Sequence, residues 1–175
     1  PLGDYRALVD VAGGTGHFAR MVKKRHPDID ATVLDLPEVV SEAKRQFPQS
    51  DIRFAATDMF RSPLPQDTEL FSLVRVLHDH DDEPVLSLLT RLHAALKPGG
   101  HLLIAEPMAG TLGAEPIGDT YFSFYLWAMG SGRPRTVKEL KAMCLTAGFS
   151  GIRELKTPIP ALTRVLVAEK APSAR

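Results

Sequence analysis

The sequence has one cysteine, one tryptophan and no surplus of charge, with 21 basic and 21 acidic side chains. The lone Cys144 excludes an internal disulfide and fits a reducing, cytoplasmic compartment. It falls in an apolar stretch of helical spacing, which reads as core rather than nucleophile. The balanced charge gives no reason to invoke a nucleic acid. The basic cluster Arg20, Lys23, Lys24 and Arg25 reads as the solvated face and C-terminal charges of a helix. No apolar run is long enough to span a membrane, and the first residues do not read as a signal peptide. Repeats and low-complexity linkers are also missing. Residue 1 is Pro and the first strand starts almost at once, so the chain is expected to be part of a longer protein.

What is there is enough for one domain. The 175 residues are 44% hydrophobic, sufficient for a sizeable core. Residues 9 to 16 read Val-Asp-Val-Ala-Gly-Gly-Thr-Gly. Leu8 to Ala12 suits a buried parallel strand, Gly13, Gly14 and Gly16 a tight turn, and His17 to His26 a helix. A strand, a glycine turn and a helix N-terminus allow a ligand close to the backbone at the positive end of the helix. Further strands are expected at Ala31–Asp35, Ile52–Ala56, Leu70–Val76 and His101–Glu106. Helices are expected from Pro37, over Glu83–Leu96 and over Thr136–Ala147, with an aromatic helix from about Gly118 to Met129. Lys97-Pro98-Gly99-Gly100 reads as a helix stop. Two β-rich runs, Ile152–Lys156 and Leu162–Ala168, close the chain. Such alternation predicts an α/β fold, a doubly wound, mainly parallel seven-stranded sheet with ligands at the carboxyl ends of its strands.

The turn satisfies a dinucleotide fingerprint as Gly14-x-Gly16-x-x-Ala19, and Asp35 closes the second strand at the right distance to hold a ribose. An NAD(P)-dependent oxidoreductase fits that signal, as do other cofactors that carry a ribose. A wider set of residues separates them: Val9 to Gly16, Asp35-Leu36-Pro37, Asp58-Met59-Phe60, Arg75-Val76-Leu77-His78-Asp79, Lys97 to Gly100 and Arg135-Thr136. With these, the chain resembles the class I S-adenosylmethionine-dependent methyltransferases. Among them it is similar to the large O-methyltransferase family of plant caffeate-type and animal acetylserotonin enzymes. Residues 119–122, 130–135 and Glu106-Pro107-Met108 are further similar to bacterial carotenoid-hydroxyl methyltransferases of the demethylspheroidene type.

The resemblance implies an antiparallel last strand and S-adenosylmethionine as cofactor. It places Asp10, Gly13, Gly14 and Gly16 along the methionyl part, Asp35 and Leu36 at the ribose, Asp58 and Met59 at the adenine, and Arg75 nearby. A carboxylate suits both ribose hydroxyls because it accepts at both oxygens. Asp35 also fits a simple turn, and Asp58 a loop cap.

His78-Asp79-His80-Asp81-Asp82 follows the fourth strand. As His-x-His-x-Asp it resembles a hydrolase metal box, but Glu83 stands where that box has another histidine, so no metal is expected. Asp81 and Asp82 suit a helix cap and first turn. The resemblance makes His78 the general base, oriented by Glu106, with Asp79 holding substrate or bracing the loop. Imidazole titrates near neutrality and suits removal of a hydroxyl proton. Many family members have a second acid just before the Arg-Thr pair; here Pro134 stands there, which leaves a His78–Glu106 pair. The family uses the aromatic helix as a wall of the acceptor pocket, which implies Tyr121, Phe122, Tyr125 and Met129 as contacts to an apolar or aromatic hydroxyl acceptor. The resemblance also implies an upstream helical domain that covers the acceptor and forms a homodimer. Without it, the chain is expected to hold the cofactor and the base but only part of the acceptor pocket, and a cofactor-binding module inactive alone is the third reading.

Overall fold

The computed structural model describes residues 2–111 and 130–173. Its seven strands are β1 (Ala7–Val11), β2 (Asp30–Asp35), β3 (Arg53–Ala56), β4 (Thr68–Val74), β5 (Leu96–Glu106), β6 (Ser150–Leu155) and β7 (Arg164–Glu169). They form one sheet in the order β3-β2-β1-β4-β5-β7-β6. Strands β1 to β5 pair in parallel, and β7 runs antiparallel between β5 and β6. This is the doubly wound α/β sheet with an antiparallel last strand that the sequence predicts.

Four α-helices are described: α1 (His17–Arg25), α2 (Pro37–Gln46), α3 (Asp82–Ala95) and α4 (Val137–Thr146). The basic last turn of α1 complements its dipole, and Pro37 opens α2 where its missing N–H costs nothing. Alternation along β1 sends Val9 and Val11 to one face and Leu8 to the other. Val9 and Val11 join Leu88, Leu89 and Leu92 of α3 and Leu140 and Cys144 of α4 in the larger core. Leu8 packs with Val22 of α1, Ile29, Leu70 and Leu103 on the opposite face. Cys144 is fully buried, and burial pushes its thiol up to about 12, so it is inert packing.

Several boundaries shift from the sequence reading, and two of the shifts have a clear physical cause or bear on the site. The helix stop at Lys97–Gly100 acts one residue earlier, after Ala95, and those four residues then belong to β5. Gly99 N–H donates to Lys170 O and Lys170 N–H to Gly100 O, both at 2.9 Å, so sheet pairing overrides the local turn signal. Strand β4 ends at Val74 rather than Val76. Arg75 turns into the left-handed region at φ 59°, uncommon for a residue with a side chain, and Ala12 does the same after β1 at φ 52°. These strands are neighbours at which the chain changes winding direction, so both sharp exits flank the crevice where such sheets hold ligands. The expected aromatic helix, with Tyr121, Phe122, Tyr125 and Met129, lies outside the described residues.

Candidate active site

The glycine turn leaves β1 with Asp10 beneath it. Register places Ser72 of β4 beside Asp10, and Ser72 Oγ donates to Asp10 Oδ1 at 2.6 Å. Asp10 Oδ2 is buried with no hydrogen-bond partner. Burial pushes this carboxyl up to about 6, against the Ser72 hydrogen bond and with added repulsion from Asp35. Gly13 lies directly over it: a Cβ there would stand 2.4 Å from Asp10 Oδ2. Only glycine permits that approach. A Cβ on Gly14 would instead meet nothing within 4 Å, so the outer side of the turn is open.

Asp35 ends β2 beside the turn. Its Oδ2 accepts from Gly14 N–H at 2.7 Å and its Oδ1 from Leu36 N–H at 2.8 Å. A carboxylate has about four lone-pair sites, so two hydrogen bonds leave acceptor capacity at each oxygen. Leu36 itself is exposed. Asp58 caps its own loop: Oδ1 accepts from Phe60 N–H at 2.9 Å, and Oδ2 lies 3.9 Å from Arg61 Nε. Capping and ligand binding are thus compatible for both carboxylates. Asp35, Asp58, Met59, Phe60 and His80 line one cavity of about 340 Å³ together with the Ala12 exit from β1. The His80 ring meets Phe60 edge-on with centroids 5.0 Å apart, and burial holds its imidazole below the usual range. Sequence reading did not assign His80 to this cavity. Arg75 stands at the mouth of β4 with an exposed side chain.

His78 lies on a short 3-10 turn, Leu77–Asp79, and is 7% exposed. Its Nδ1 hydrogen-bonds Glu106 Oε2, at the end of β5. Glu106 is 2% exposed, and its other oxygen accepts from Val76 and Leu77 N–H, each at 2.8 Å. The carboxylate therefore fixes both the ring and the backbone that carries it. Pro134 supplies no second acid, but Asp79 does: its Oδ1 is 3.2 Å from His78 Nε2, on a side chain that is 55% exposed. Asp81 occupies the cap position of α3, yet its carboxylate accepts from Gly132 N–H at 3.0 Å instead of capping the helix. Among the described residues no group of three His, Cys, Asp or Glu side chains is arranged to hold a metal ion. None of their helices is long and apolar enough to cross a membrane.

Of the residues singled out in the sequence, the structure brings Asp35, Asp58 and Met59 to one cavity, sets the glycine turn over Asp10 beside Asp35, and pairs His78 with Glu106. The sequence reading gives no site role to Ser72, quotes Arg135 only as part of a motif, and weighs His80 only as a metal ligand. Ser72 shows no motif and matters only through strand register. Arg135 is 3% exposed and reaches back to the His78 loop, a contact without local signal.

The O-methyltransferase domain family model matches residues 2–150. Demethylspheroidene O-methyltransferase of Rhodobacter capsulatus is 44% identical over 169 residues, 97% of this chain and 42% of the relative. Acetylserotonin O-methyltransferase of Mus musculus is 38% identical over 160 residues, 87% of this chain and 41% of the relative. The crystal structure of human N-acetylserotonin methyltransferase in complex with S-adenosylmethionine superposes with a TM-score of 0.88 at 31% identity, covering 97% of this chain and 49% of that one. The chain thus spans about two fifths of the length of these curated relatives. From this match over nearly its whole length, the chain belongs to the O-methyltransferase domain family.

Proposed function

We propose that this chain is the cofactor-binding and catalytic domain of an S-adenosylmethionine-dependent O-methyltransferase acting on a hydroxyl of an apolar acceptor. The observation that carries the reading is the buried His78–Glu106 pair on the loop whose next turn, at His80, walls the Asp35–Asp58 cavity. A candidate proton acceptor and a cavity suited to a ribose and an adenine thereby lie together at the carboxyl ends of the parallel strands.

The residues present fit this cofactor. Asp10 Oδ2 is a buried acceptor without a donor, suited to an ammonium group. The outer side of Gly14 is open, and Asp35 keeps acceptor capacity for two sugar hydroxyls. When bound, S-adenosylmethionine supplies a methyl group on a sulfonium, an electrophile that needs no activation by the protein. The chain's task is to orient a hydroxyl and remove its proton. His78 takes that proton at Nε2. Glu106 holds Nδ1, fixes the tautomer and stabilises the imidazolium that forms. Asp79 meets Nε2 on the side where the hydroxyl must arrive, so its exposed side chain swings away and accepts from the incoming group or from solvent.

The similarity to demethylspheroidene O-methyltransferase supports a carotenoid hydroxyl as the acceptor. An aliphatic hydroxyl is a weak acid and needs the base more than a phenol does. That matches a base whose imidazolium is stabilised at Nδ1 by the buried Glu106 carboxylate.

Calorimetric titration of the intact protein with S-adenosylhomocysteine and with NAD(P)H tests the reading. S-adenosylhomocysteine is expected to bind. Binding of NAD(P)H without binding of S-adenosylhomocysteine overturns it.

A further inference from the structure

The turn that carries His78 is fastened from far along the chain. Arg135, just before α4, sends its buried guanidinium to three acceptors on that turn. One terminal nitrogen donates to Leu77 O at 2.8 Å, the other to His80 O at 2.7 Å, and Nε to Asp82 Oδ1 at 2.8 Å. Leu77 O immediately precedes the base. His80 O belongs to the residue whose ring lines the Asp35–Asp58 cavity. The backbone of Arg135 is itself anchored beyond Glu106, since Ala109 N–H donates to Arg135 O at 3.0 Å.

A second contact presses on the same turn. Gly132 adopts φ 84°, and a Cβ there would lie 2.2 Å from His78 O and 2.6 Å from the Asp79 carbonyl carbon. Its N–H donates to Asp81, and Ser131 Oγ to Asp79 O. Segment 131–135 thus lies against the whole run 77–82.

We propose that Arg135 is a positioning residue that locks the His78 ring against Glu106 and, through His80, sets the cofactor-cavity wall relative to the base. The proposal rests on the reading of His78 as base. A planar guanidinium can satisfy three separately placed acceptors at once, which an ammonium cannot. Asp82 pairs with both Arg135 and Arg133, and Glu139 takes the second charge through Arg133, so the clamp does not set an uncompensated cation beside a ring that must itself become positive.

Arg135→Lys in the intact protein, with Gly132→Ala as a second perturbation of the same turn, tests the clamp. Both are expected to lower kcat about 10–100-fold, since catalytic geometry tolerates displacements well under 1 Å. The acceptor KM should stay within about threefold, and the dissociation constant of S-adenosylhomocysteine should rise about two- to tenfold through His80. Amide exchange at Val76 and Leu77, which donate to Glu106, should accelerate. Should Arg135→Lys fold poorly, Gly132→Ala reads the same turn without removing the guanidinium. A lowered melting temperature with kcat within twofold and unchanged exchange assigns Arg135 to stability alone and overturns the proposal. If His78→Ala keeps the full rate, the base reading fails on its own, while loop exchange and cofactor affinity still report whether the clamp holds.

Discussion

The two halves of the crevice are built by opposite strategies. On the β1–β2 side, the binding groups are close in sequence and partly unsatisfied. Asp10 Oδ2 has no donor, the outer side of Gly14 is open, and Asp35 uses only part of its acceptor capacity. On the β4–β5 side, the ring proposed as the base is tied down from two distant stretches: by Glu106, 28 residues on, and by segment 131–135, where Arg135 reaches Leu77 across 58 and Gly132 reaches Asp81 across 51. On the proposed reading, the first half leaves buried polar capacity for a ligand to satisfy, at some expense of stability. The second is held in place without a ligand, as the proposed proton-transfer role requires. Binding and chemistry should therefore fail separately, except at the contacts that act through His80, which stands on the His78 loop and walls the Asp35–Asp58 cavity.

The sharpest break of that separation is His78→Ala in the intact protein. Loss of a general base is expected to lower the single-turnover rate about 10²–10⁴-fold. The S-adenosylhomocysteine dissociation constant should hold within about threefold. The loss should be larger for an aliphatic alcohol than for a phenol, which ionises near pH 10 and so offers some phenolate unaided. Equal losses in affinity and rate would merge the two halves.

Asp35→Ala attacks the other half. Each charge-assisted hydrogen bond to a sugar hydroxyl is worth about 1.5–3 kcal/mol, so affinity for S-adenosylhomocysteine should fall about 10²-fold, and Asp35→Asn should fall less. Calorimetry reads both. The rate at saturating cofactor should change little by comparison.

A pH titration sharpens the contrast further. Burial raises the Asp10 carboxyl to about 6 in the free chain, and a bound ammonium group requires the carboxylate. As pH falls below about 6, the dissociation constant should therefore weaken, approaching tenfold for each pH unit. In the unliganded fold the same shift has the opposite consequence. Its folded value exceeds the unfolded value of 3.8, so the stability it contributes is full below that pH and is lost as pH rises through about 6. The cost at neutral pH is about 3 kcal/mol at most. Against Asp10→Asn, the wild type should become relatively less stable and bind relatively better over this window. A flat difference in both removes Asp10 from the site.

The smallest expected effect lies outside both halves. Thr136 and Glu139 form a capping box at the start of α4, and its hydrogen bonds hold the Glu139 carboxyl down at about 2. Thr136→Ala should cost about 1 kcal/mol in chemical denaturation. The Glu139 contribution is present above its ordinary value of 4.5 and is lost as pH falls toward about 2, and solvent exposure keeps it small. Cofactor affinity should not change.

The same contrast explains what could be read from the sequence. The glycine turn, Asp35 and the alternation of strands are local patterns, so the sheet and the binding half are legible. The His78–Glu106 pair was reachable only through resemblance, because the two residues meet across neighbouring strands. The contacts from Arg135 and Gly132 join segments more than fifty residues apart, and no local period encodes them. Lys97–Gly100 misleads for the same reason: its turn chemistry is real, but pairing with Lys170 makes it strand. The Asp81 cap misleads too, since its side chain serves the distant Gly132 rather than its own helix.

The most direct test of an open binding half beside a preset catalytic half is a crystal structure of the intact protein with S-adenosylhomocysteine. Both ribose hydroxyls are expected on Asp35 and the ligand ammonium at Asp10 Oδ2. His78 should still be bonded to Glu106 and Arg135 to the Leu77 and His80 carbonyls. A ligand whose sugar hydroxyls are held elsewhere, or a His78 that meets Glu106 only after rearrangement of the 77–82 loop, would contradict it.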